Sequence, residues 1–324
     1  KNTKELEQYQ EEPSSEEALA KIPILRREDI SKEIEPIVNE ELKMRNIPVI
    51  YHEIETNGIG YVDLLFDLSG IGADYLPYVG ILQAVLGLVD TRHYGYGELF
   101  DEINTHTGGI GTSLEVYPDV TRVTEKEFKA TFEVKAKALY DKLPTAFEMM
   151  NEILTRSNFT DEKRLKEILD MTKSRLQMRF QSSGHSTAAL RAQSYASPIA
   201  KLKDMTGGIE FYQTVKRISD HFDSEKQGLI ECLEKLSKRI FCKGNMMISY
   251  TSARTGLVEM PKLAAALEDQ LYVKGEETEG CVLHCEKRNE GFKTASQVQY
   301  VARAGNFIDG GCEYTGVLQV LKVI

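Results

Sequence analysis

The stretch "EFKATFEVKAKAL" (127–139) alternates without a break. Phe128, Ala130, Phe132, Val134, Ala136 and Ala138 fall on one side, and Lys129, Thr131, Glu133, Lys135 and Lys137 on the other. A period of two over this length is a strand with one face in a core and one face in water, the pattern of an antiparallel sheet covered on one side. "IPVIYHEIE" (47–55), "YVDLLFDLS" (61–69), "IGTSLEVYPD" (110–119) and "NMMISYTS" (245–252) read as further strands. Asn57-Gly58 between the first two predicts a hairpin turn.

Between the strands the period changes. "DYLPYVGILQAVLGLVD" (74–90) is apolar on most faces and predicts a buried helix, and 96–107 predicts a helix with a polar face. Residues 140–240 read as helical, with Leu165, Ile168, Leu169, Thr172 and Leu176 at helical spacing, then Leu229, Leu233, Leu236 and Ile240. A helix over 257–271, a polar hinge at 274–280, a strand over 292–305 and an apolar helix from 311 complete the pattern. The expected class is α+β: an antiparallel sheet with helices packed on one face. Residues 1–28 read as the end of a helical linker, capped by Ser14 or Ser15. Asp29 is a plausible cap for the next segment and Pro36 a plausible break in it. The expected division is 1–28 linker, 29–275 main α+β domain and 276–324 the start of another unit. The absence of a starting Met, and an apolar helical pattern running to Ile324, lead us to expect a piece of a longer protein.

A net charge of -10 argues against a nucleic-acid partner, which needs a basic face. No segment approaches the roughly 20 apolar residues of a membrane span. Five scattered cysteines, Cys232, Cys242, Cys281, Cys285 and Cys312, suggest free thiols in a reducing compartment: the cytoplasm or an organelle interior.

The richest polar stretch is "DEINTHTGGIGTSLEVY" (101–117). Its glycines lack the Lys and Ser/Thr of a phosphate loop and leave a helix instead of entering one, so they read as a helix stop. Asp90, Glu98, Asp101 and Glu102 nearby suit acid/base work on paper, but on a polar helix face they read as solvation. The histidines are His52, His93, His106, His185, His221 and His284, and no two stand at the spacing of a helical zinc site. Cys281, His284 and Cys285 form the one metal-like cluster, and it lacks a second pair of ligands. The residues alone carry no catalytic constellation.

One long resemblance supplies a context. "DLLFDLSGIGADYLPYVGILQAVLGLVDTRHYGYGELFDEINTHTGGIGTSLEVY" (63–117) resembles the third domain of presequence-protease-type peptidases, in the pitrilysin/insulinase family of inverted-motif zinc metallopeptidases. "EEALAKIPILRREDISKE" (16–33) resembles the end of that group's helical-hairpin linker, and "NEGFKTASQVQYVARAGNF" (289–307) the start of its fourth domain. The resemblance implies four homologous α+β domains in two halves that close around an unstructured peptide. It implies zinc held by the N-terminal half through H-x-x-E-H. Where that motif would stand, this chain reads "VGILQAVLG" (79–87), with Gln83 near the expected Glu and no His. No catalytic residue is therefore carried over, and the chain is expected to be inactive alone and to bind no metal. The N-terminal catalytic half and unstructured peptides are its implied partners. Asn104, His106, Thr107, Gly108 and Gly109 become candidate chamber-wall residues. Two other readings compete: a scaffold or binding module of the same fold without peptidase activity, and an independent zinc module on Cys281, His284 and Cys285. An exposed strand edge makes self-association an expectation for the isolated chain.

Overall fold

The computed structural model describes residues 2–33, 36–119, 121, 127–275, 280, 282–294 and 297–322. Its contacts divide the chain into two units, Lys1–Val38 and Asn39–Ile324.

The first unit is short and exposed. It holds α1 (Asn2–Glu11), α2 (Glu16–Ala20) and a 3-10 turn at Arg27–Asp29. Ser15 caps α2 by accepting from the Ala18 amide at 3.2 Å. Asp29 does not open a helix; its carboxylate reaches back to the Arg26 amide at 2.8 Å and closes the 3-10 turn.

The second unit is built on six strands: β1 (Glu40–Met44), β2 (Ile47–Glu53), β3 (Ile59–Asp67), β4 (Ile110–Pro118), β5 (Phe128–Leu139) and β6 (Met246–Ser252). They lie in the order β1-β2-β6-β3-β5-β4. Every pairing is antiparallel except β2 with β6, so the sheet is mixed and not wholly antiparallel. The expected hairpin at Asn57-Gly58 is a real turn, with φ of 51° and 82°, but its two strands do not pair. β6 lies between them. β2 and β3 run antiparallel to one another across that slot, so a strand filling it must run parallel to one of them.

The register explains why β6 belongs there. Val49, Ile248, Leu64 and Val134 form one continuous buried row across the sheet, and Tyr51, Tyr250, Val62 and Ala136 form the next. On a third row Phe66 faces Phe132, and the Phe241 ring meets both edge-on at 5.1 and 5.2 Å. Such cross-strand rows are the unit of sheet stabilisation.

Helices α3 (Leu76–Val85), α4 (Tyr96–His106), α5 (Leu143–Thr155), α6 (Glu162–Ser182), α7 (Gly184–Gln193), α8 (Pro198–Gly207), α9 (Ile209–Asp220), α10 (Phe222–Ile240) and α11 (Met260–Gln270) contribute the rest of the core. The five positions 165, 168, 169, 172 and 176 on α6 are all buried, as are 229, 233, 236 and 240 on α10. α3 sits deepest, with Val79, Leu82 and Val85 at zero exposure. The strand expected over 292–305 does not form: its described residues, 292–294 and 297–305, have no regular structure. Among the described residues no neighbouring strand offers that segment a ladder, and an extended chain without one is not a strand. A short helix, α12 (Gly316–Leu321), follows.

Gly80 marks a close helix crossing. A Cβ there would lie 2.6 Å from the Thr206 carbonyl oxygen and 2.7 Å from the Phe211 ring. Helix propensity alone makes Gly→Ala favourable by roughly 1 kcal/mol, whereas forcing atoms into a packed contact costs about 1–3 kcal/mol. The backbone oxygen cannot swing away, so packing decides the sign. Gly80→Ala should lower unfolding stability in urea by roughly 1–2 kcal/mol; a stabilised variant would show that the crossing has slack.

Candidate functional site

The helix–turn–strand around residues 76–118 comes first, because the sequence singles it out. α3 presents its apolar residues to the core and leaves Gln83 half-buried at the edge strand. The Gln83 amide donates to the Thr112 carbonyl at 3.2 Å, and the Thr112 hydroxyl donates to the Gln83 carbonyl at 3.3 Å. This reciprocal pair ties α3 to β4. The Gln83 side chain is thus a structural fastener between helix and edge strand.

The turn after α4 consumes its own polar groups. Asn104 donates to the Phe100 carbonyl at 2.9 Å, and the Thr107 hydroxyl donates to the Ile103 carbonyl at 2.7 Å. His106 pairs with Glu102 at 3.4 Å. The Gly108 amide donates to the Lys137 carbonyl at 2.7 Å, and the Gly109 amide to the Thr107 hydroxyl oxygen at 3.0 Å. A Cβ on Gly108 would displace the flexible Lys137 stem, 2.7 Å away, while Gly109 has φ +113°, a conformation that favours glycine. Gly109 is thus the residue whose backbone the turn onto β5 constrains. The nearby carboxylates serve the start of α4: Glu98 accepts from the Gly95 amide at 3.1 Å and Asp90 from the Tyr96 amide at 2.8 Å, while Asp101 is exposed.

The histidines are dispersed. His52 lies 3.3 Å from the Ser249 hydroxyl, His93 is 2.7 Å from the buried Glu152, and His221 is 3.1 Å from the Arg217 carbonyl. Cys281 lies outside the described residues, His284 is exposed and Cys285 half-buried. Among the described residues no group of three His, Cys, Asp or Glu stands together as a metal site. Over residues 79–85 of α3 the side chains are apolar apart from Gln83.

The structure also reveals a polar cluster that alternation conceals. On the sheet face opposite the core rows, Thr131 and Glu133 are buried although they stand on the side expected to face water. Glu133 Oε1 accepts from Tyr117 at 2.5 Å and from Thr131 at 2.8 Å, and Lys135 Nζ approaches its Oε2 at 2.8 Å. Lys135 also reaches Asp63 at 3.6 Å and Glu115 at 3.9 Å. These groups meet because Asp63 lies directly across from Lys135, and Ser113 across from Glu133. Leu65, opposite Glu133 and also buried, is the one sequence sign that this face is not fully wet.

The two carboxylates titrate apart. Burial, reinforced by the charge of Glu133, pushes Asp63 up to about 7, against the pull of Lys135. Burial also acts to raise Glu133, but hydrogen bonds from Lys135, Tyr117 and Thr131 outweigh it and hold that carboxyl below its ordinary range. Glu133 therefore stays charged while Asp63 carries a proton into the neutral range. A shallow pocket of about 470 Å³ opens beside them, lined by Tyr61, Asp63, Lys135, Lys137, Ser249 and Thr251. Of the five chamber-wall candidates, Gly109 is the one that lines this pocket. Separated carboxyl titrations mark acid/base sites and structural ion networks alike. The charged and hydroxyl groups that line the pocket beside this pair give it the character of a polar binding face.

The sign of the pH effect is fixed by the direction of the Asp63 shift. An acid whose folded pKa is raised binds more protons folded than unfolded, so stability falls as pH rises from the ordinary carboxyl range to about 7 and levels off above it. Asp63→Asn removes that contribution. Its stability in urea should fall less than the wild type's between about pH 5 and pH 8, leaving the variant about 1 kcal/mol better placed at the higher pH. Parallel pH profiles for the two proteins would contradict a raised Asp63.

Comparison with known proteins agrees with the resemblance drawn from residues 16–33 and 63–117. Residues 1–218 match the Peptidase M16-C associated family. Protein HypA of Clostridium perfringens is 32% identical over 323 residues, covering 100% of this chain and 33% of that protein. The chloroplastic/mitochondrial presequence protease 1 of Arabidopsis thaliana is 27% identical over 325 residues, covering 99% of this chain and 29% of that protein. This chain thus spans about a third, or less, of the length of these curated relatives. A solved peptidase M16 inactive domain from Pseudomonas fluorescens superposes with a TM-score of 0.50 at 12% identity, over 74% of this chain and 53% of that one. At that identity the likeness speaks for the fold. The match over residues 1–218 establishes that the chain belongs to the Peptidase M16-C associated family.

Proposed function

We propose that this chain is the non-catalytic C-terminal half, in part, of a zinc metalloendopeptidase that degrades unstructured peptides inside a closed chamber. The observation that carries this reading is α3. It belongs to a peptidase-associated family, yet where an inverted zinc motif would stand it has apolar residues and a Gln83 fastened to Thr112. Two relatives are named as presequence proteases, and a structural neighbour as an inactive domain of an M16 peptidase, which supports a part without chemistry of its own.

On this reading residues 1–28 end the linker, 29–275 are the third domain and 276–324 begin the fourth. Zinc and the water-activating carboxylate reside in the N-terminal half, which is this chain's partner. This chain contributes a wall, with Asn104, His106, Thr107, Gly108 and Gly109 near its rim and the polar sheet face beside Gly109 turned to the peptide. Its setting is a bacterial cytoplasm or an organelle interior. Among the described residues no helix is long and apolar enough to cross a membrane.

The test uses the purified chain alone. A quenched unstructured peptide should remain uncut, and metal analysis should find well under one zinc per chain. Zinc-dependent hydrolysis by a preparation free of any N-terminal half would overturn the proposal. Bound zinc lost on Cys285→Ser would favour an independent zinc module instead.

A further inference from the structure

Outside the polar sheet face, the most constructed polar site in the molecule surrounds Arg191 on α7. Arg191 is buried, and so is its first partner, Asp204 on α8, at 2.6 Å. Asp204 is itself held, since its other oxygen accepts from the Ile209 amide at 2.9 Å. Glu210 on α9 approaches the same guanidinium at 3.4 Å and is also paired with Lys201. Arg191 is therefore oriented by the helical block, and its charge is already balanced there.

A further carboxylate nonetheless occupies it. Glu290 takes both remaining arms of the fork: Arg191 Nε donates to Oε2 at 2.8 Å, and Nη2 donates to Oε1 at 3.1 Å. The Tyr195 hydroxyl donates to the same carboxylate. Two residues on, the Phe292 ring lies 5.8 Å from the guanidinium, and Tyr195 covers it at 5.4 Å. Glu290 comes from a stretch with no helix or strand in its described residues, 282–294, where only Leu283 packs against the core. Further along, the Tyr300 ring fills the space that a Cβ on Gly184 would need, and lies beside the His185 ring at 6.2 Å. Bidentate Arg–carboxylate pairs are the most geometrically selective of charge-assisted hydrogen bonds. In a segment without a ladder or a buried stripe, such a pair sets the path of the chain.

We infer that Arg191 on α7 and Tyr195 in the turn that follows it form a prebuilt carboxylate receptor, and that Glu290 fills it in cis, making residues 288–292 a releasable latch that holds the exit segment against the helices. The partner this surface fits is an extended chain bearing a carboxylate two residues before an aromatic ring. Its occupant is this chain's own Arg-Asn-Glu-Gly-Phe. The latch is independent of zinc and of the peptidase reading, and its test reads neither.

The experiment takes the full chain and the variants Glu290→Gln and Tyr195→Phe. Trypsin has sites at Lys287, Arg288 and Lys293, all exposed. Cleavage there should be roughly ten-fold faster in Glu290→Gln and intermediate in Tyr195→Phe, with the urea midpoint of the domain unchanged. A labelled peptide of residues 286–294 should bind the Glu290→Gln chain more tightly than the wild type, whose receptor is filled. The same peptide with Gln in place of Glu should bind neither. Equal cleavage rates in all three proteins, or peptide binding indifferent to that carboxylate, would overturn the latch.

Discussion

Everything in the main unit hangs on the seat of β6. β2 and β1 form one ladder, β3, β5 and β4 another, and among the described residues β6 joins them. It enters after a helical block that separates it by about a hundred positions from β5, so sheet closure waits on the longest-range pairing in the fold. Phe241 packs between Phe66 and Phe132 just before β6 begins. The Asn245 amide then donates to the carbonyls of Ile240 at 2.8 Å and Asp67 at 3.1 Å, pinning the end of α10 to the end of β3. Placement of the helices, burial of α3 and register of the polar face all follow from this insertion. Long-range closure of this kind makes folding slow relative to stability.

Much of this is legible in the sequence as elements and little of it as topology. The alternation at 128–139 and the helical spacing on α6 and α10 mark their residues correctly, because each pattern reports a local period. Asn57-Gly58 marks a turn, but a turn says nothing about a third strand entering between its arms. β1 leaves no such mark, because its turn places Arg45, a residue with no special liking for it, at φ 54°. Over 292–305 the local pattern suggests a strand, yet strands are defined by partners, and the segment meets α7 instead.

The polar sites are legible only in part. The Gly108–Gly109 turn can be read as a helix stop because positive φ and close approach leave direct traces in residue choice. Glu133 cannot be read as buried, since Lys, Thr and Glu in alternation describe a wet face until Tyr117 and Asp63 arrive from two other strands. Arg191, Asp204 and Glu290 are likewise brought together by tertiary structure, from three places with no shared motif. The family resemblance rests on long local stretches around α3 and α4, which explains why it survives comparison although the catalytic motif is absent.

On the proposed reading the chemistry of the whole enzyme lies outside this chain, which supplies an α3 fastened by Gln83 and a polar face for an extended peptide. The measurement that tests this most directly is reconstitution. This chain, extended through the rest of the C-terminal half, is mixed with a separately expressed N-terminal half, and cleavage of a quenched unstructured peptide is followed for each alone and for the mixture. Zinc-dependent activity that appears only in the mixture is the predicted result. Full activity in the N-terminal half alone would contradict a chamber-completing role and leave this chain as a scaffold.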